Sequence, residues 1–312
     1  MQAEAHISVL LREASDALLP ERGGILVDGT FGRGGHSRAL LRRMPTAARL
    51  IAIDRDAAAA VAARDIGDSR FTFVAAHFGA MADSLRAMGI AEVNGILLDI
   101  GVSSPQLDDA SRGFSFMRDG PLDMRMDQSR GQPAASWIAT ASVDEITEVI
   151  RDYGEERFAQ RIAAAIVEAR ERQPVERTLQ LAQIVEKAVP GRWTGQHPAT
   201  KTFQAIRIHI NQELEELRMA LGAALHLLAP EGRLAVITFH SLEDRMVKFW
   251  MREQAGRAPE DPRLRYLPQT QGVTATIRLV GRDTAPSDAE IYANPRSRSA
   301  RLRVAEKLAV AT

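Results

Sequence analysis

The segment Asp28-Gly-Thr-Phe-Gly-Arg-Gly-Gly-His36 holds four glycines, Gly29, Gly32, Gly34 and Gly35, between an acid and a histidine. It separates an apolar run from a helix-like stretch, so the backbone there must turn sharply and come close to something. Three ligand classes use such a turn. A P-loop has the Gly29 to Gly34 spacing, but it needs a lysine next, and here Gly35 and then His36 follow. A dinucleotide site needs a third glycine where Ser37 stands, and it would set Asp28 beside a pyrophosphate, anion against anion. S-adenosylmethionine has no phosphate and carries an ammonium and a sulfonium, so Asp28 favours methyl transfer over hydride transfer. Asp54, 20 residues after Gly34, suits a pair of ribose hydroxyls. Alone it does not separate the two nucleoside cofactors, and an N-cap for a helix from Asp56 is its other reading.

A second constellation is Leu97-Leu-Asp-Ile-Gly-Val-Ser-Ser-Pro-Gln-Leu-Asp108. Asp99 ends a buried strand, where a carboxylate is costly unless used. Gly101, Ser103, Ser104 and Pro105 then form a loop rich in hydrogen-bonding groups, against the plain alternative of a polar turn. Cysteine is absent. That excludes disulfides, thiolate metal sites and any reaction that needs a cysteine nucleophile, such as methylation of cytosine at carbon 5. Transfer to an exocyclic amine needs only in-line attack on the methyl, with catalysis by positioning and electrostatics. The histidines His6, His36, His77, His197, His209, His226 and His240 show no ligand spacing with acids, so no catalytic metal is expected.

The elements that must hold these residues follow from periodicity. Short apolar runs at Ile25 to Asp28, Leu50 to Asp54, Phe71 to Ala75 and Gly95 to Asp99 alternate with helical stretches at Gly34 to Met44, Asp56 to Arg64 and Gly79 to Met88. That is the pattern of βαβ units around a parallel sheet, and three of the four strands end in aspartate at the ligand-binding edge. After Pro105 a passage rich in Gly, Pro, Ser and Met leads into helical periodicity with no strand-like run until Arg233. It reads as an insertion. A stripe from Phe203 through Ile206, Ile210, Leu214, Leu217, Leu221 and Leu225 to Leu228 predicts continuous helix with a core-facing side. Gly232 to Phe239 reads as a buried strand, Ser241-Leu-Glu-Asp244 as a capping box, and Thr274 to Val280 with Ala300 to Ala305 as a closing hairpin.

Composition sets the outer bounds. The chain of 312 residues is 45% hydrophobic, 26% charged and 5% aromatic with zero formal net charge, ordinary for a globular protein. Such a balance leaves only local patches for nucleic acid. Arg112, Arg118, Arg125 and Arg130 form one candidate patch, interleaved with Phe114 and Phe116, while Arg296, Arg298, Arg301 and Arg303 form another. No export signal or membrane-length apolar run is visible, so the cytoplasm is the expected compartment, without a membrane partner.

Taken together, D-G-T-F-G-R-G-G-H, L-D-I-G-V-S-S-P-Q-L-D, S-R-G-F-S-F, T-F-Q-A-I-R-I-H-I-N-Q-E-L, F-H-S-L-E-D-R and N-P-R-S-R-S-A-R-L-R resemble the RsmH (MraW) family over nearly the whole chain. These are bacterial small-subunit ribosomal RNA cytosine-N4 methyltransferases. The resemblance implies a Rossmann-like class I methyltransferase fold, α/β, with a mostly parallel sheet, a C-terminal hairpin and an inserted helical domain. Residues 1–107 and 212–312 are expected to form the S-adenosylmethionine domain and 108–211 the inserted, RNA-recognising one. It further implies cofactor contacts from Gly34, Gly35, His36, Asp54, Phe78, Asp99 and Gln106. Asp99 with Ser103 and Ser104 is the expected catalytic group, and the expected partner is 16S ribosomal RNA within a ribosomal particle, with room for an oligomer. Other amine methyltransferases place Asp/Asn-Pro-Pro-aromatic after the fourth strand; here Ile100-Gly101 replaces Pro-Pro, so the base-stacking ring must come from Phe114, Phe116 or Phe239. The rival readings are an assembly factor that binds cofactor without turnover and an amine methyltransferase of another nucleic acid.

Overall fold

A computed structural model of the protein describes residues 8–191, 195–257 and 274–309; His6 lies outside them. The chain forms two compact units, residues 1–101 with 215–312, and residues 102–214.

In the first unit, β1 (Ile25–Asp28), β2 (Arg49–Asp54), β3 (Phe71–Ala75), β4 (Val93–Asp99) and β5 (Leu228–Thr238) are parallel. β7 (Arg301–Lys307) adds antiparallel to β5, and β6 (Ile277–Leu279) antiparallel to β7 at the edge. The order β3-β2-β1-β4-β5-β7-β6 is the Rossmann-like methyltransferase sheet with its C-terminal antiparallel pair. β6 and β7 are joined not by a simple polar loop but through the short helix α13 (Asp288–Ala293) and a 3-10 turn at Pro295–Ser299.

The strands are apolar on both sides because the sheet is covered on both. On one face Val27, Ile51, Ile53, Ile96, Leu98, Leu234 and Val236 meet Met81 and Leu85 of α4 (Met81–Ala87), Leu217 and Leu221 of α11 (Glu213–Leu227), and Val247 and Met251 of α12 (Ser241–Gln254). On the other, Leu26, Leu50, Leu97 and Ile237 meet Ala14 of α1 (Leu11–Ala17) and Leu40 of α2 (Gly35–Leu41). Ala59 of α3 (Ala57–Ala63) packs with Phe31 and Ala52.

The second unit is helical, with α5 (Ser104–Asp108), α6 (Ala134–Thr140), α7 (Val143–Gly154), α8 (Ala159–Arg172), α9 (Thr178–Ala188) and α10 (Ala199–Asn211). Its core includes Ile138, Ile146, Ile150, Ile162, Ile166, Leu181, Val185 and Ile206. The stripe expected to continue from Phe203 to Leu228 is instead cut: α10 ends at Asn211, and Gln212 is left-handed at φ 52°. Phe203 and Ile206 belong to one core, Leu217 and Leu221 to another. One more local reading changes. The cap of α12 is His240, which forms a capping box with Glu243, so the box lies one residue before the expected Ser241. Among the described residues no helix is long and apolar enough to cross a membrane.

A buried amide helps to order the Met-rich passage. Asn211 Oδ1 accepts from Met126 N at 2.8 Å, while its Nδ2 donates to Met124 O at 2.7 Å and to Arg207 O at 2.9 Å. Replacing Asn211 by Ala strands buried backbone groups of a segment with no helix or strand of its own. Each costs about 1–3 kcal/mol. The Asn211→Ala variant is therefore expected to lose about 2–4 kcal/mol in denaturant titrations, and a loss under about 0.5 kcal/mol would contradict this role.

Candidate active site

The site is set by register. Asp28 pairs with Ala52 across β1 and β2 and with Leu97 across β1 and β4. Asp54 and Asp99 therefore lie two residues farther along their strands, and the β1–α2 loop drops between two carboxylates. β1 and β4 are the central neighbours at which strand order reverses, the usual ligand crevice of such sheets.

The loop uses both flanks. Gly32 N donates to Asp54 Oδ2 at 2.7 Å and Asp56 N to Asp54 Oδ1 at 2.8 Å. The N-cap of α3 is Asp56, whose Oδ1 accepts from Ala58 N at 2.9 Å, so Asp54 is not the cap. Burial pushes the Asp54 carboxyl up, and the two backbone N–H groups pull against that. Each oxygen retains a lone pair for a further donor. On the other flank, Asp99 N donates to Thr30 Oγ1 at 2.6 Å, and Asp99 Oδ2 lies 3.4 Å from His36 Nε2.

Asp28, which the sequence set against the cofactor's charge, turns inward instead. It is 1% exposed, and its oxygens accept from Ser37 Oγ at 2.7 Å and Thr30 N at 3.2 Å. It braces the loop from beneath. The glycines divide similarly. Gly34 is left-handed at φ 76°, and a Cβ there would also press into the Phe31 ring at 2.7 Å; a Cβ on Gly35 would land on Ser8 Oγ. Both are demanded by the protein's own packing, so any ligand they meet is met by main chain.

The remaining expected residues are placed as follows. Phe78 is half-buried after β3, with its Cβ 3.6 Å from where a Cβ on Gly29 would sit. Its neighbours are tied to α11, since Gly79 N donates to Glu216 Oε2 at 3.0 Å and His77 Nδ1 lies 3.2 Å from Glu216 Oε1. Sequence reasoning missed this brace, because 137 residues separate its ends. Ser103, Ser104 and Gln106 belong to the second unit. Ser103 N-caps α5, and its N–H donates to Gln106 Oε1 at 2.9 Å.

Of the candidate stacking rings, Phe114 is core at 5% exposure, and Phe116 packs edge-on to Phe203, 4.9 Å between centroids. Phe239 sits at the end of β5, with its Cδ2 3.6 Å from where a Cβ on Gly101 would sit. Several arginines are structural. Arg112 donates to Arg125 O and Met126 O, Arg125 pairs with Asp123, and Arg303 grips Asp244 through two bonds of 2.7 and 3.0 Å. Arg118, Arg130, Arg296 and Arg298 are exposed.

The donor set fits S-adenosylmethionine on its own chemistry: a two-oxygen acceptor with spare lone pairs at Asp54, an aromatic at Phe78 and a carboxylate at Asp99. A model of the MraW methylase family matches residues 3–308. A protein of Aromatoleum aromaticum named ribosomal RNA small subunit methyltransferase H is 57% identical over 305 residues, covering 98% of this chain and 97% of its own. A protein of the same name from an Azoarcus species is 57% identical over 306 residues, covering 98% of each chain. Among solved structures, an rRNA methylase from Streptococcus thermophilus aligns over 96% of this chain and 94% of its own at 10% identity, with a TM-score of 0.40.

The buried carboxylate has a pH signature. Desolvation raises the Asp28 pKa, against His36, Ser37 and Thr30 which lower it. A carboxyl raised above its unfolded value costs nothing below the unfolded pKa and its full penalty above the folded one. Asp28→Asn keeps groups able to meet Ser37 and Thr30 but cannot ionise. In urea titrations its stability relative to the parent is expected to rise between pH 4 and pH 7. A difference flat across that range would contradict a buried ionising Asp28.

Proposed function

The chain belongs to the MraW methylase family, and from that premise we infer that it transfers the methyl group of S-adenosylmethionine to the exocyclic N4 amine of a cytidine in small-subunit ribosomal RNA. The observation that carries the reading is the pair Asp54 and Asp99, set by strand register on either side of one glycine loop. When bound, the cofactor supplies an electrophilic methyl on a cationic sulfur.

Asp54 receives the ribose hydroxyls on lone pairs its two backbone donors leave open. Phe78 would cover the adenine, and the main chain of Gly34, Gly35 and His36 would border the cofactor. Asp99 would orient the amine by accepting an N–H hydrogen bond that strengthens as positive charge develops on nitrogen. Ser103 and Ser104 act by shaping the loop after Asp99, which the Ser103–Gln106 cap stiffens. Phe239 is the ring we assign to the target base, since Phe114 is core and Phe116 is engaged with other rings. No covalent attack on the base is required, in keeping with a chain that has no cysteine.

The helical unit, with exposed Arg118 and Arg130, contributes to holding RNA, and we place the substrate within a small-subunit particle in the cytoplasm. Phosphate contacts of this kind weaken steeply with salt.

Tritiated methyl transfer to small subunits, naked ribosomal RNA and DNA tests the reading. Label is expected at a cytidine amine of the small-subunit RNA. Label at a ring carbon would overturn the amine mechanism, and no label with intact cofactor binding would favour a binding-only assembly factor. Asp54→Ala is expected to weaken cofactor binding by about 2 kcal/mol, roughly thirtyfold in Kd. Asp99→Ala should chiefly lower kcat.

A further inference from the structure

His36 is 4% exposed, and both of its ring nitrogens are buried without an aligned hydrogen-bond partner. No ligand is needed to cover them. The protein itself closes around the imidazole, so a cofactor entering the crevice finds no ring nitrogen to touch. Three carboxylates from three elements act on its charge: Asp99 at the end of β4, Asp28 at the end of β1, and Glu290 on α13. Asp99 is nearest, Oδ2 to Nε2 at 3.4 Å. Glu290 is held by Leu10 N, which donates to its Oε1 at 2.7 Å, and Asp28 by Ser37 and Thr30. The Asp99 side chain has His36 beside it instead: Oδ1 is buried with no hydrogen-bond partner, and Oδ2 is the oxygen 3.4 Å from the imidazole.

On the reading of Asp99 given above, we propose that the His36 imidazole is a positioning residue that acts through Asp99: it fixes and charge-balances the carboxylate that orients the target amine, and its side chain makes no contact with the cofactor. The histidine of the Gly-Gly-His motif thus serves the acceptor side of the site while lying in the donor loop. Burial and the start of α2 both disfavour an imidazolium. The Asp99 carboxylate, with Asp28 and Glu290 behind it, outweighs them and holds the His36 pKa above the ordinary value. The imidazole is therefore charged below its own midpoint, and its attraction for the Asp99 carboxylate is lost as pH rises through that midpoint.

The test begins with the full-length protein labelled on histidine and followed by NMR. The His36 midpoint is expected above that of an exposed histidine in the parent and clearly lower in Asp99→Asn; an unchanged midpoint in that variant would overturn the pairing. His36→Gln is then compared with Asp54→Ala by calorimetry with S-adenosylhomocysteine. Affinity within about threefold of the parent is expected for His36→Gln, with kcat at least tenfold down, substrate KM little changed and the high-pH limb of the kcat profile gone. Loss of affinity as large as for Asp54→Ala would make the imidazole a cofactor contact and sink the proposal. Should His36→Gln not fold, the Asp99→Asn titration still decides it. Failure of the parent to bind S-adenosylhomocysteine would instead strike the cofactor reading.

Discussion

The arrangement depends on one buried carboxylate. Asp28 stops β1 two residues short of the levels reached by β2 and β4, and it ties the turn that follows to its own side chain through Thr30 and Ser37. A glycine-rich loop left to itself would sample many conformations, at an entropic cost of about 1–2 kcal/mol per residue to fix. With Asp28 beneath, Asp54 holding Gly32 and Thr30 holding the Asp99 backbone, the loop is fixed at three points. Asp28 and Thr30 preorganise the site without needing to touch a ligand, and Asp54 does so with lone pairs to spare for one.

That division explains what the sequence disclosed and what it concealed. The strands were legible because a sheet covered on both faces demands continuous apolar runs, and Leu50 to Asp54 or Gly95 to Asp99 can hardly be read otherwise. The three terminal aspartates were legible as a set, since strand ends in such sheets are where ligands sit. Their separate tasks were not. Asp28 looks the same on paper as Asp54, and only register tells that one points inward beneath the loop while the other flanks it. The glycines misled in a similar way: Gly35 is required by Ser8, 27 residues away in the chain, a contact that leaves no local trace.

Elsewhere the misreadings share a cause, in that side chains were spent on backbone. Gln212 ends α10 in a left-handed turn usually given to glycine or asparagine, and nothing in an otherwise strong helix-forming stretch announces it. The preceding Asn211 would serve that turn better but is occupied with Met124 and Met126. His240 caps α12 in place of a serine because Glu243 returns to the His240 and Phe239 backbone. Likewise, most of the arginines that looked like a nucleic-acid patch are bonded to carbonyls or aspartates, among them Arg112, Arg118, Arg125, Arg301 and Arg303. A formal charge of zero is consistent with this, for much of the basic inventory serves the fold and only a few exposed guanidiniums remain for phosphate.

The same economy bears on chemistry. An enzyme that methylates an amine without a covalent intermediate has only placement and field with which to lower the barrier. Placement comes from strand register, which sets Asp54 and Asp99 on opposite flanks of the loop with no adjustable loop of their own. The field is harder, since a cationic cofactor favours an anionic crevice while carboxylates such as Asp28 and Asp99 repel one another. Putting a histidine among them, buried where no ligand nitrogen or oxygen can reach it, reduces that repulsion without neutralising the face that the cofactor meets. The donor loop therefore carries the counter-ion of the acceptor group, and a change in either strand end is felt by both halves of the reaction.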